Sequence, residues 1–115
     1  HIDTQEGIAS ARYIANESMC HSGGIVQGGF VTGWLDAIMA LACMAKCGTD
    51  VLVLTLEIKV NFLNSAKIGK LISTAKVIKN TKSIAFVEGK LENIEGQLIA
   101  TGTCTAKLKY NFYKN

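Results

Sequence analysis

Asp36 stands in the middle of an apolar run, with Val31, Leu35, Ile38, Met39 and Cys43 around it. A carboxylate in such surroundings must be paired, hydrogen-bonded, open to a cleft or protonated. Just ahead of the run lies His21-Ser22-Gly23-Gly24-Ile25-Val26-Gln27-Gly28-Gly29, with four glycines in seven residues. If a helix starts at Gly28 and Gly29, its first amides are unshielded by side chains and make an anion or oxyanion site. The chemistry this suits is polarisation of a carbonyl by the amides, with Asp36 as nucleophile or general base. The plainer alternative is that Asp36 only bonds a nearby hydroxyl or an amide of a second subunit.

Spacing constrains that chemistry. Asp36 is seven residues beyond Gly29, about 10 Å along a helix at the usual rise. One small reacting group cannot easily meet both. A carbonyl held by the loop of one subunit and approached by Asp36 of another removes the difficulty. The loop is not a phosphate cradle of the Walker type: Gly23 to Gly28 has the spacing, but Gly29-Phe30 replace the required Lys-Ser/Thr.

The elements that must position these residues follow from periodicity. Ile8 to Glu17 reads as a short strand with Ala9, Ala11, Tyr13 and Ala15 on one face. The glycine-rich stretch reads as an irregular loop. Phe30 to Lys46 is apolar on nearly every side, which predicts a helix buried all round. It ends where Lys46 occupies the last turn and Gly48 offers a left-handed cap. After Gly48 the period becomes two. Leu56, Ile58, Val60 and Phe62 share one face of a strand, and Leu71, Ser73, Ala75 and Val77 that of the next. Ser83 to Asn93 follows the turn Asn80-Thr81-Lys82. Gln97 to Leu108, with Leu98, Ala100, Gly102, Cys104 and Ala106 on one side, follows the turn at Asn93-Ile94-Glu95-Gly96. Short turns between successive strands predict an antiparallel meander. A helix buried on all sides needs a curved sheet around it and a second subunit beyond. The expected class is therefore α+β, as a homodimer.

Composition narrows the partners. A chain of 115 residues, 49% hydrophobic and 18% charged, is expected to be one globular domain over 1–115. The net charge of +3 rests on lysine, with Arg12 the only arginine. Base readout relies on bidentate arginine, so no nucleic-acid partner is expected. The four cysteines, Cys20, Cys43, Cys47 and Cys104, contain no CxxC pair, and His1 and His21 are not spaced as ligands. Reduced structural thiols and no metal are expected. The stretch from Phe30 to Ala45 reads as too short to span a bilayer and carries Asp36. A soluble cytoplasmic protein without a membrane partner follows.

The loop and helix resemble the PaaI-like group of hotdog-fold thioesterases. That group's pattern is an Asn, then His-Gly-Gly, then an acidic residue seven positions after the second Gly. Here the stretch from His21 to Gly29 and Asp36 within Trp34-Leu35-Asp36-Ala37 carry it, with Thr55-Leu56-Glu57-Ile58-Lys59-Val60-Asn61-Phe62 downstream. The likeness runs from about Asn16 to Leu108. It implies a hotdog fold, in which a curved antiparallel sheet wraps one long helix, and hydrolysis of an acyl-CoA thioester by a homodimer or a tetramer of two dimers. No cofactor is implied beyond the coenzyme A of the substrate. By the same resemblance Asp36 matches the nucleophile or base and the Gly28 amide the oxyanion donor. Thr55 matches a hydroxyl that assists the attacking water, and Lys82-Ser83 a turn that touches the CoA phosphates. Gly29 joins Gly28 at the carbonyl, and Trp34 is placed to line an acyl pocket or to pack in the core.

Two positions depart from the pattern. Gln27 replaces the group's His and can orient a carbonyl or a water, but it cannot transfer a proton near neutral pH. His21 replaces its Asn and is placed either to orient a water or to face solvent. The rival readings are a hotdog module that binds an acyl-CoA without turnover, and a dehydratase-type hotdog. Gln27 argues against the latter, whose chemistry pairs a His with a carboxylate.

Overall fold

The alternating pattern after Gly48 becomes four long strands, and the apolar run before it becomes one helix. The computed structural model describes residues 1–111. In chain order the elements are β1 (Ile2–Asp3), β2 (Ile8–Ala15), β3 (Cys20–His21), β4 (Ile25–Val26), α1 (Gly28–Cys47), β5 (Val51–Phe62), β6 (Gly69–Asn80), β7 (Ile84–Asn93) and β8 (Leu98–Tyr110). Six strands form one antiparallel sheet in the order β1-β2-β6-β7-β8-β5, and β3 pairs with β4 in a small hairpin. The continuous meander expected from the short turns holds only for β6, β7 and β8. β5 pairs with β8 at the far edge, and residues 63–68 lead back to β6, which lies beside β2. The helix carries the chain over the face of the sheet, so the strand after it need not pair with the strand after that.

One face of the sheet receives the helix. Leu71, Ser73, Ala75 and Val77 are buried, as are Ala100, Gly102, Cys104 and Ala106 on β8, in agreement with the alternation. Gly89 pairs with both Ala75 and Gly102, which makes a row of minimal side chains beneath α1. A Cβ on Gly89 would stand 3.2 Å from Met39 Cγ, and one on Gly102 3.5 Å from Leu35 Cδ1. The row lets the helix sit close to the sheet, and Leu35, Ile38, Met39, Ala42 and Cys43 are fully buried there.

The helix differs from its sequence reading in three ways. It begins at Gly28 rather than Phe30 and runs 20 residues, long and apolar enough to cross a membrane, contrary to the expectation from length. It is buried on one stripe only. Gly33, Ala37, Phe30 and Leu41 lie on exposed parts of α1, because a single sheet has one face to offer. At its end Gly48 has φ 101° and ψ 168°, a glycine conformation outside the left-handed helical region, and its N–H donates to the Met44 carbonyl at 2.8 Å. Lys46 Nζ donates to the Gln5 carbonyl at 2.6 Å and ties the helix end to the β1–β2 turn.

Ser73 is fully buried, and its hydroxyl has no hydrogen-bond partner among the described residues. A buried unpaired hydroxyl costs about 1–3 kcal/mol. Ser73→Ala is therefore expected to leave stability unchanged or raise it by up to about that amount, read as the midpoint of urea unfolding. A loss beyond about 1 kcal/mol would mean the hydroxyl is satisfied in solution.

Candidate functional site

The strand that follows the helix contains an irregularity that matters for Asp36. On β5 the pairing passes from Thr55↔Ala106 to Glu57↔Thr105, leaving Leu56 as a bulge. A bulge of one residue reverses which side chains face the sheet's inner side. Before it, Val53 and Thr55 pair with the inward positions Leu108 and Ala106. After it, Ile58, Val60 and Phe62 pair with Cys104, Gly102 and Ala100. Leu56, expected on the inner face with Ile58, is the bulged residue and is 59% exposed.

Thr55 thereby reaches the helix. Its Oγ1 donates to Asp36 Oδ1 at 2.8 Å, and Asp36 itself is half-buried. On α1 Asp36 lies at the margin of the buried stripe, toward β5, the open edge of the sheet. Thr55 belongs to a cross-sheet row with Ala106 and Ala85. Ser83 lies two residues before Ala85, and its carbonyl accepts from the Leu108 N–H at 2.8 Å. The exposed Ser83 is thus level with Leu108 and Val53, two residues along the strands from the Thr55 row and two strands across, about 12 Å in all.

The thiol of Cys104 feels this carboxylate, and that of Cys43 in turn feels Cys104. Burial pushes the Cys104 thiol up to about 11, and the negative charge of Asp36 adds to the effect. Burial pushes Cys43 up to about 12, with Cys104 and Cys47 contributing. All four cysteines are free. Both folded-state values lie above the ordinary thiol value of 9.0, so ionisation favours the unfolded chain. The stabilising contribution is complete below pH 9 and is lost as pH rises toward about 11–12. Urea midpoints measured across that window should fall, and should fall less steeply for Cys43→Ala/Cys104→Ala. Equal slopes would refute the assignment.

The glycine-rich segment is more ordered than a plain loop. Gly23 and Gly24 have φ 83° and 70°, which turn the chain between β3 and β4. The Val26 N–H donates to the Ala66 carbonyl at 2.8 Å, and that of Gln27 to Met19 at 2.9 Å. These bonds set the start of α1. Gln27 is the N-cap, and its exposed side chain makes no capping bond. The Gly28 and Gly29 amides, in the first helical turn, have no partner among the described residues, and no acidic side chain offsets the positive helix end.

A cleft of about 330 Å³ opens beside Gly28, lined by His21, Ile25, Val26, Phe62 and Asn64 among others. His21 Nδ1 lies 3.1 Å from the Ser22 carbonyl. A carbonyl only accepts, so Nδ1 carries the proton in this bond and Nε2 is left for other partners. Phe62 and Asn64 were not singled out from sequence. They come to Gly28 through the end of β5 and the segment after it, and no local pattern announces that meeting.

The structure joins Asp36 with Thr55 and, separately, His21 with Gly28. It does not join the two groups within one chain, since an unbroken helix separates Gly29 from Asp36. Trp34 lies on the other flank of α1, about 200° around the helix from Asp36. It stacks on Tyr13 with centroids 5.2 Å apart and meets Phe30 at 6.2 Å. Among the described residues no group of three or more His, Cys, Asp or Glu could hold a metal ion.

Comparison with known proteins places this geometry. The family model of the thioesterase superfamily matches residues 23–100. No curated protein matches the chain. A phenylacetic acid degradation-related protein of Ralstonia eutropha JMP134 superposes with a TM-score of 0.87 at 28% identity, over 93% of this chain and 80% of that one. A conserved Pseudomonas aeruginosa protein gives 0.86 at 27%, over 90% and 82%. A Streptococcus mutans UA159 protein bound to acetyl-CoA gives 0.84 at 21%, over 91% and 83%. The helix-on-sheet arrangement is the hotdog fold that the motif resemblance implied.

Proposed function

Because the chain belongs to the thioesterase superfamily, we propose that it hydrolyses acyl-CoA thioesters at a site shared by two subunits. The observation that carries this reading is the separation of two prepared half-sites on one helix. The Asp36 carboxylate is held by Thr55, and the unpartnered Gly28 and Gly29 amides stand at the helix start. Among the described residues strand β5 ends the sheet with an unpaired edge, on which Leu54 and Leu56 are exposed. Such an edge invites pairing with a second copy. The apolar exposed side of α1 favours the same partner.

In the proposed reaction the thioester carbonyl accepts from the Gly28 N–H of one subunit, and Gln27 orients it. Asp36 of the other subunit attacks the carbonyl carbon, or removes a proton from a water that does so, with Thr55 aligning the carboxylate or the water. Charge developing on the carbonyl oxygen is met by the amide dipoles. Collapse of the tetrahedral intermediate breaks the C–S bond and releases coenzyme A as the thiolate, which takes up a proton. If Asp36 attacked first, water then hydrolyses the mixed anhydride and restores the carboxylate. His21, with Nε2 unclaimed, orients water at the cleft. Lys82 and Ser83, on the exposed turn two strands across from β5, receive the CoA phosphates. That fold accommodates acetyl-CoA in the Streptococcus mutans protein. Trp34 stacks with Tyr13 and is left to packing. The free thiols suit a cytoplasmic setting, and the chemistry calls for no further cofactor.

A second reading is an acyl-CoA-binding module without turnover. It draws on Gln27, whose amide cannot shuttle a proton. Free-thiol release from a panel of acyl-CoA esters separates the two. Steady release supports hydrolysis, whereas binding of the esters without release supports the module.

A further inference from the structure

We propose that Phe62 sets the length of acyl group the protein accepts, by closing the end of the cleft beside Gly28. The inference rests on the hydrolytic site above and goes beyond it. Phe62 is the last residue of β5, on the inner side of the strand after the bulge. Its ring projects past the sheet and is 57% exposed. A Cβ on Gly28 would lie 3.3 Å from Phe62 Cζ and 3.4 Å from Cε1. The ring therefore lies directly against the backbone that supplies the proposed oxyanion donor. It also forms one wall of the cleft, whose other apolar surfaces come from Ile25, Val26, Val31, Leu63 and Ala66.

A thioester carbonyl held at Gly28 has two substituents to place. The sulfur side leads to the CoA phosphates, which the proposed site assigns to Lys82 and Ser83. The acyl side is then left to the cleft. At about 330 Å³ the cleft is at the small end of ligand sites, which run from about 300 to 1,000 Å³. It therefore holds a short or medium chain. Phe62 is the largest side chain in its wall, and its exposed ring is free to be replaced without opening the core.

The test is the ratio of kcat/KM for decanoyl-CoA to that for butyryl-CoA, in wild type, Phe62→Ala and Phe62→Trp. Differences of a methylene in an apolar pocket are worth about 10-fold or more. Phe62→Ala should raise the ratio at least about 10-fold and Phe62→Trp should lower it. Ratios that do not move, or that move the same way in both variants, overturn the proposal. Thermal melting of each variant establishes that it is folded, and the two substitutions guard against loss of either one. If the wild type releases no thiol from any ester, the hydrolytic reading fails by itself. The same ratio is then read from the Kd values of the decyl and butyl thioethers of coenzyme A, and Phe62 is judged on those. Absence of binding by either thioether overturns both proposals.

Discussion

Asp36→Asn is expected to lower kcat/KM on every acyl-CoA substrate by about 10²–10⁴-fold, the range for losing a positioned acid or base. The substitution is nearly isosteric, and the new amide oxygen still accepts from Thr55 Oγ1, which now stands 2.8 Å from the carboxylate. What disappears is the negative charge, and with it both routes open to Asp36. An amide is neither a nucleophile toward a thioester nor a base near neutral pH. Because the Thr55 bond survives, unfolding midpoints should stay close to wild type. A variant that melts normally and keeps more than about a tenth of its activity would sink the assigned role.

The shared site makes a second, equally large prediction. Gly28→Pro deletes one donor at the first helical position, where proline is tolerated, and the N-cap Gln27 already has the extended ψ of 141° that a following proline requires. Loss of an oxyanion donor should cost about 10²–10³-fold in kcat. When Asp36→Asn chains and Gly28→Pro chains are unfolded together and refolded as a mixture, about half the dimers are mixed, and each mixed dimer has one intact site. The mixture should recover about a quarter of wild-type activity. Recovery no greater than the average of the two inactive parents would confine the site to one chain.

Much of this was legible in the amino-acid order. The change from helical to two-residue periodicity at Gly48 is a matter of local sterics and side-chain direction. The buried face of β6 followed it from Leu71 to Val77 and that of β8 from Ala100 to Ala106. At the start of β8 a register shift buries Ile99 and leaves Leu98 half-buried. The turn at Asn93 to Gly96 was readable for the same reason: the Asn93 side chain accepts from the Glu95 and Gln97 amides, a local bond that needs no distant partner. Asp36 drew attention because a charge among apolar residues carries a cost wherever the chain folds. The strand order was not legible, since nothing in the short turns says that β5 and β6 lie apart.

For the site, the residues and their separation along α1 belong to the sequence: types, spacing and helical rise place the Gly28 and Gly29 amides about 10 Å from Asp36 in any fold that keeps the helix. Their partners were decided only in three dimensions. Thr55 meets Asp36 because Leu56 is bulged out of β5, and strict alternation through Leu56, Ile58 and Val60 would have turned Thr55 away. Phe62 keeps the inner face that alternation gives it, and it meets Gly28 because the end of β5 comes to lie beside the start of α1. A bulge is a balance between strand pairing, twist and the packing of α1 on the sheet, and that balance is struck by tertiary contacts rather than by neighbours in the chain.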